Sequence, residues 1–363
     1  MSRRPYTAVL IVPTGIGAAI GGYAGDALPV ARAIAQVADT LITHPNVMNG
    51  AQLYWPLPNA LYVEGYGLDQ FAAGRWGLRP VHRNRIGLLL DAAIERDLRW
   101  RHLQAADAAR ATLGLDLMDY GVTDAPLGVT LRRAQSGATW GTIDNPAALL
   151  RGAERLIRAG AEAIAIVARF PEDPSSAALQ EYRQGQGVDP LAGAEAVISH
   201  LIVRTFQVPC AHAPALSPLP LDSTISPKSA AEEIGYTFLP CVLAGLSRAP
   251  QFVTQAPAQA SDLWAEQVDA VIIPATAAGG SGVLSLSGTR AQIIAVEENG
   301  TTLDVAPEAL GLSVVRVRSY LEAVGVMAAH RAGISAGAIA PHLPHLQPLS
   351  KNSPEMDDKH PRR

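Results

Sequence analysis

The sequence predicts an α/β fold, a largely parallel or mixed sheet flanked by helices in Rossmann-like layers. Three observations carry this. Short apolar, β-branched runs at 8–12, 40–42 and 271–273 each stop at a cluster of Gly, Pro, His, Asn or Thr, as strands buried on both faces of a parallel sheet do. A helix opening at Asn145-Pro146 ends at Gly160, and the apolar run 163–167 follows it, the helix–glycine–strand order of an α/β unit. With 48% hydrophobic but only 5% aromatic residues, the core is built from Ala, Leu, Val and Ile.

Along the chain, strand 8–12 leads into a glycine-rich loop, 14–26. A helix over 27–35 follows, with Asp26 or Gly25 near its cap and Pro29 in its first turn. After strand 39–42 comes a segment broken by Pro and Gly that carries Tyr54, Trp55, Tyr62, Tyr66, Phe71 and Trp76. It reads as a lid or a subunit interface, since so much aromatic surface is hard to bury within one chain, and it argues for a homo-oligomer. Strand 85–93, helix 100–113, short strands 115–118 and 128–131, and helix 146–159 precede strand 163–167. Residues 172–189 are polar and predict a surface loop, then helix 190–200. Ser226-Pro227 starts another helix. Strands 268–273, 292–296 and 314–317 and a closing helix 320–332 complete a single unit of residues 1–342, in one body or two lobes. Residues 343–363 read as a disordered polar tail.

The net charge of −4 gives no electrostatic reason to expect nucleic acid or an anionic membrane. No apolar run reaches the ~18 residues that span a bilayer, and the first residues lack a signal-peptide pattern. Two cysteines, Cys210 and Cys241, fit a reducing compartment. The expectation is a soluble, cytoplasmic protein. Of 29 basic residues only Lys228, Lys351 and Lys359 are lysines, so Lys228 is the one lysine of the body.

Four phrases resemble an uncharacterised family, a domain of unknown function from cyanobacteria and plant plastids. They are Thr43-His44-Pro45-Asn46-Val47-Met48-Asn49-Gly50, Val208-Pro209-Cys210-Ala211-His212-Ala213-Pro214, Ile234-Gly235-Tyr236-Thr237-Phe238-Leu239-Pro240-Cys241 and Ile294-Ala295-Val296-Glu297-Glu298-Asn299. The resemblance covers nearly all of residues 5–340. That family lends no catalytic residue; the resemblance implies a cyanobacterial cytoplasm or a plastid stroma.

In open parallel sheets ligands collect at the carboxyl ends of strands, so the loops there hold the candidates. Thr14, Gly15 and Gly17 could bring backbone N–H groups to an anion, although their spacing departs from both the dinucleotide fingerprint and the P-loop. His44 is an acid–base candidate, with Asn46 and Asn49 to orient a ligand. Cys210 and His212, two apart in an extended segment, point to one side; they fit a thiolate held by an imidazolium, a metal pair short of ligands, or plain core. Cys210 and Cys241 together could serve a cofactor-independent racemase. Glu297 is a candidate base, Lys228 at its helix N-terminus could meet an anion, and the loop of Gly280, Ser281 and Gly282 is a second anion cradle. No motif names a cofactor or requires a metal. The expected function is an enzyme acting on a small anionic metabolite; the alternatives are a non-catalytic metabolite-binding or regulatory protein and a plastid or cyanobacterial assembly factor.

Overall fold

The computed structural model describes residues 4–49, 55–233, 238–254, 258–339, 341–343 and 345–346. Most of the predicted tail, Tyr54 and residues 234–237 therefore lie outside the described residues. Helix α1 (Leu28–Val37) connects strands β1 (Thr7–Leu10) and β2 (Thr40–Thr43), and the one-turn helix α2 (Pro45–Met48) follows. Next come β3 (Ala60–Tyr62), α3 (Gly65–Ala72), β4 (Gly77–Arg79), β5 (Ile86–Leu90) and α4 (Arg96–Leu113). The middle holds β6 (Gly121–Val122), β7 (Val129–Arg133), β8 (Thr139–Ile143), α5 (Pro146–Arg158), β9 (Ala163–Arg169), α6 (Ala177–Arg183), α7 (Ala192–Phe206) and β10 (Cys210–Ala215). The last third holds α8 (Pro227–Glu233), α9 (Phe238–Ser247), β11 (Gln251–Val253), β12 (Val268–Pro274), α10 (Ser281–Ser287), β13 (Gln292–Val296), β14 (Val315–Val317) and α11 (Tyr320–Arg331).

Two parallel sheets organise these elements. One has the order β14-β13-β12-β1-β2-β3, the other β10-β9-β5-β6, and every neighbouring pair in both is parallel. Two small antiparallel ribbons, β7–β8 and β4–β11, attach to them. The fold is α/β, as the sequence predicts. The central strands are fully buried because their side chains face helices on both sides: β5 and β12 are buried at every residue. One continuous apolar cluster runs from Leu10, Leu41 and Ile272 in the first sheet through Ile34 of α1 and Leu243 of α9 to Leu88, Val167 and Ala213 in the second. The two sheets therefore share a core.

Several local expectations change. The polar stretch 172–189 is not a plain surface loop; it contains α6, whose Tyr182 and Arg183 are buried. Residues 115–118 form no strand, only a bridge from Leu117 to Ile86, made by Ile86 N to Asp116 O at 2.8 Å and Met118 N to Ile86 O at 3.0 Å. Ala27 caps α1, since the Asp26 side chain turns back to accept from Gly21 N at 2.6 Å. The aromatic segment folds into β3, α3 and β4, and Tyr62, Phe71 and Trp76 are buried within this chain. Trp76 packs on Tyr66 and Phe252. Tyr62, Phe71 and Trp76 need no second subunit to cover them, whereas Trp55 stays 53% exposed.

Candidate functional site

A cavity of about 1890 Å³ lies between the carboxyl ends of the two sheets. Residues after β1, β2, β3 and β12 form one wall; β10 and the segments after β9 and β10 form the other, and α7 runs along it. This is where topology places ligands in open α/β sheets. The volume exceeds the roughly 300–1,000 Å³ of ordinary small-molecule pockets, and leucines, prolines, Val129, Val283 and Phe238 line much of it.

A polar chain crosses the floor. Glu64, 4% exposed, caps α3: its Oε2 accepts from Tyr66 N at 2.8 Å and Gly67 N at 3.3 Å. Its Oε1 pairs with His200 Nδ1 and lies 3.5 Å from the Ser199 hydroxyl. Ser199 Oγ is 3.1 Å from His212 Nδ1, and His212 Nε2 is 3.7 Å from Glu195 Oε2. Burial opposes a charge on His200, but the Glu64 carboxylate, and behind it Asp69, raises its pKa. Burial, then repulsion from the Glu195 carboxylate, raises Asp189 well above the ordinary carboxylate range, against backbone bonds from Leu191 and Ala192. Glu195 and Ser199 are one helical turn apart on α7 and so share a face. That spacing was visible in the sequence, as was Glu64 ahead of Gly65-Tyr66-Gly67. Neither signal points to the site by itself, because Glu64 and Ser199 meet across 135 positions of the chain.

The expected residues divide. Thr14, His44, Asn46, Asn49, His212, Gly280, Ser281 and Gly282 line the cavity; Gly15, Gly17, Cys210, Lys228 and Glu297 do not. His44 is buried, and its Nε2 accepts a bond from Val12 N at 3.0 Å. Burial lowers its pKa to about 4. With Nε2 occupied, the ring is neutral and has Nδ1–H to offer, so His44 is a hydrogen-bond donor and not the proton-transfer base expected. Asn49 Oδ1 accepts from Tyr62 Oη at 2.7 Å, and Asn46 Nδ2 donates to Gly21 O at 2.6 Å.

Cys210 is not an activated thiol. It is 1% exposed among Ile164, Ile198 and Ile202, and burial together with the Glu64 charge pushes its pKa well up. Cys241 is equally buried, and neither lines the cavity, so the two-thiol racemase geometry is not formed there. Among the described residues no group of three His, Cys, Asp or Glu side chains could hold a metal ion. Glu297 is exposed and pairs with Arg316 at 3.5 Å.

The anion cradles are also differently used. Gly15 and Gly17 have φ of +71° and +57°, and a Cβ on them would stand 2.9 Å from Thr139 Oγ1 and 2.8 Å from Val188 Cγ2. These glycines let the loop pack against the opposite lobe. Asn299, completely buried, holds the same loop by Oδ1 to Ile20 N at 2.9 Å and Nδ2 to Ile20 O at 2.7 Å. Ser281 at the start of α10 donates to Asp69, whose carboxylate already stands where an anion would dock. Lys228 donates to Ala19 O and pairs with Asp26 at 3.5 Å, outside the cavity.

Comparison with known proteins agrees with the length of the fold. A protein of Synechococcus sp. strain PCC 6301 named "Uncharacterized lipoprotein" is 66% identical over 341 residues, 94% of this chain and 95% of that one. No solved structure matches. The model of the family described as "Protein of unknown function (DUF3326)" matches residues 7–340, and the chain belongs to that family.

Proposed function

We propose that this protein is an enzyme that performs acid–base chemistry on a neutral or cationic metabolite held between its two sheets. One observation carries the reading: His212 stands on the cavity wall with the Ser199 hydroxyl at one ring nitrogen and the Glu195 carboxylate at the other. An imidazole so placed can take a proton and give it back, and the neighbouring Asp189–Glu195 pair offers a second proton store. His44 Nδ1–H and Asn49 supply donors to an uncharged oxygen.

The sequence favours an anionic ligand; the cleft moves that reading. Among the described residues its walls carry Glu64, Asp69, Glu172, Asp173, Asp189, Glu195 and Asp222 against Arg183 and the His200 that pairs with Glu64. Like charges repel an anion from such a site.

The test is an unbiased turnover assay. A cyanobacterial metabolite extract is incubated with wild type and with His212→Ala, and both are followed by mass spectrometry. The reading expects at least one metabolite consumed by wild type and spared by the variant. Metabolites retained but unaltered by wild type would favour the binding-protein alternative, and equal consumption by both proteins would overturn the role of His212.

The relative's name includes the word lipoprotein. In this chain both thiols are sealed in the core, at 1% and 0% exposure, so neither is open to a lipid. Among the described residues no helix is long and apolar enough to cross a membrane. We place the protein free in the cytoplasm; recovery with the membrane pellet after cell fractionation would overturn this.

A further inference from the structure

A chain of contacts runs from His212 through Ser199 to Glu64. Ser199 Oγ carries one proton. Besides His212 Nδ1 it has two acceptors, Ala196 O at 3.4 Å and Glu64 Oε1 at 3.5 Å, neither of which can donate: one is a carbonyl, the other a carboxylate oxygen drawing on His200. When the hydroxyl donates to either of these two, a lone pair of Oγ faces His212 Nδ1 at 3.1 Å. In that arrangement the contact is a hydrogen bond with Nδ1–H as its donor. Glu64 in turn cannot swing away, because two backbone amides of α3 hold its other oxygen. Ser199 is 1% exposed and Glu64 4%, so water does not compete for these positions.

We propose that Glu64 and Ser199 are positioning residues that hold neutral His212 in its Nδ1–H tautomer, making Nε2 the atom that exchanges a proton with substrate. This rests on the reading of His212 as the proton-transfer group, but its first test does not need turnover. Nε2 is then the nitrogen beside Glu195. The 3.7 Å separation is longer than a hydrogen bond, leaving Nε2 free to meet an O–H, N–H or activated C–H group of the ligand. The proton balance is simple: the ligand's X–H bond breaks, its electron pair stays on X, and the proton forms an N–H bond at Nε2. The resulting imidazolium has Glu195 on one side and the Ser199–Glu64 relay on the other. Proton return reverses the step, so no co-reactant is required. The groups at the ring are Glu195 and Ser199 from α7; behind them stand Glu64, against Ser199, and Asp189, which feels the Glu195 charge.

The experiment is ¹⁵N-resolved NMR of the histidine rings in the full chain, assigned with His212→Gln. Wild type is expected to show His212 with a protonated Nδ1 and a bare Nε2 above its titration midpoint. In Ser199→Ala the tautomer preference should be lost, and in Ser199→Thr it should be restored. A bare Nδ1 in wild type, or an unaltered tautomer in Ser199→Ala, would overturn the proposal. Once a consumed metabolite is known, Ser199→Ala should lower kcat about 10- to 100-fold, by analogy with the loss of a partner that orients a metal-bound histidine, with KM little changed. A fixed tautomer together with full turnover by His212→Ala would leave the relay standing and refute the acid–base reading, so the two failures are distinguishable.

Discussion

The backbone N–H of Val12 donates to His44 Nε2 across 3.0 Å, joining the end of β1 to the end of β2. This bond has a price in acid. The pKa of His44 is lowered from 6.5 to about 4 by burial, so the unfolded chain binds a proton that the folded chain refuses. Stability from this group is fully present above pH 6.5 and is lost as pH falls toward 4. At about 1.4 kcal/mol per pKa unit, the loss comes to about 3 kcal/mol. In denaturant melts between pH 7 and 4, wild type should lose about that much more stability than His44→Gln. Parallel profiles would show that the imidazole is not held neutral.

Gly15→Ala and Gly17→Ala should each cost about 1–3 kcal/mol through left-handed backbone strain alone, and more where Thr139 and Val188 must move. Gly114→Ala is the internal control. Its φ is +67°, yet nothing lies within 4 Å of the new methyl, so strain acts without a clash. Thermal melts should rank Gly114→Ala mildest of the three.

Asn299→Ala should destabilise by about 2–4 kcal/mol, since it strands both the Ile20 backbone groups and the Tyr320 hydroxyl, to which Nδ2 also donates at 2.7 Å; each unsatisfied buried group costs about 1–3 kcal/mol. A loss below ~1 kcal/mol would mean that water reaches this position.

Lys228→Ala should leave the melting midpoint nearly unchanged, because exposed pairs contribute little. The visible effect is expected in dynamics. Lys228 grips Ala19 O, Ser229 Oγ donates to Tyr182 O at 2.8 Å, and the Tyr182 ring stacks on Tyr23 at 4.5 Å. Together these fasten α6 and α8 to the glycine loop. Faster amide hydrogen exchange in α6 and α8 is the expected result, and unchanged exchange would show that the lysine fastens nothing.

Both thiols should resist a disulfide reagent such as DTNB in the native protein and react once it is unfolded. Rapid native labelling of Cys210 would contradict its burial and raised pKa.

The strands and helices with long, uniform patterns were legible in the chain itself. The run 292–296 is β13 to the residue, and 163–167 and 268–273 are the cores of β9 and β12, because a fully buried strand needs apolar residues on both faces and glycine or proline at its ends. Local spacing also put His44, Asn46 and Asn49 at a strand end. What it could not supply were distances across the chain. Glu64 meets His200 over 136 positions and Ser199 meets His212 over 13, in contacts made by two sheets closing on a shared core. Burial, too, is a property of the assembled structure. It silenced Cys210 as a nucleophile and turned His44 from base to donor, and it drew the glycine loop into packing between the lobes. The residue types were set by sequence; which of them keep a free proton, a free lone pair or an open face was decided by tertiary neighbours and the low dielectric they create.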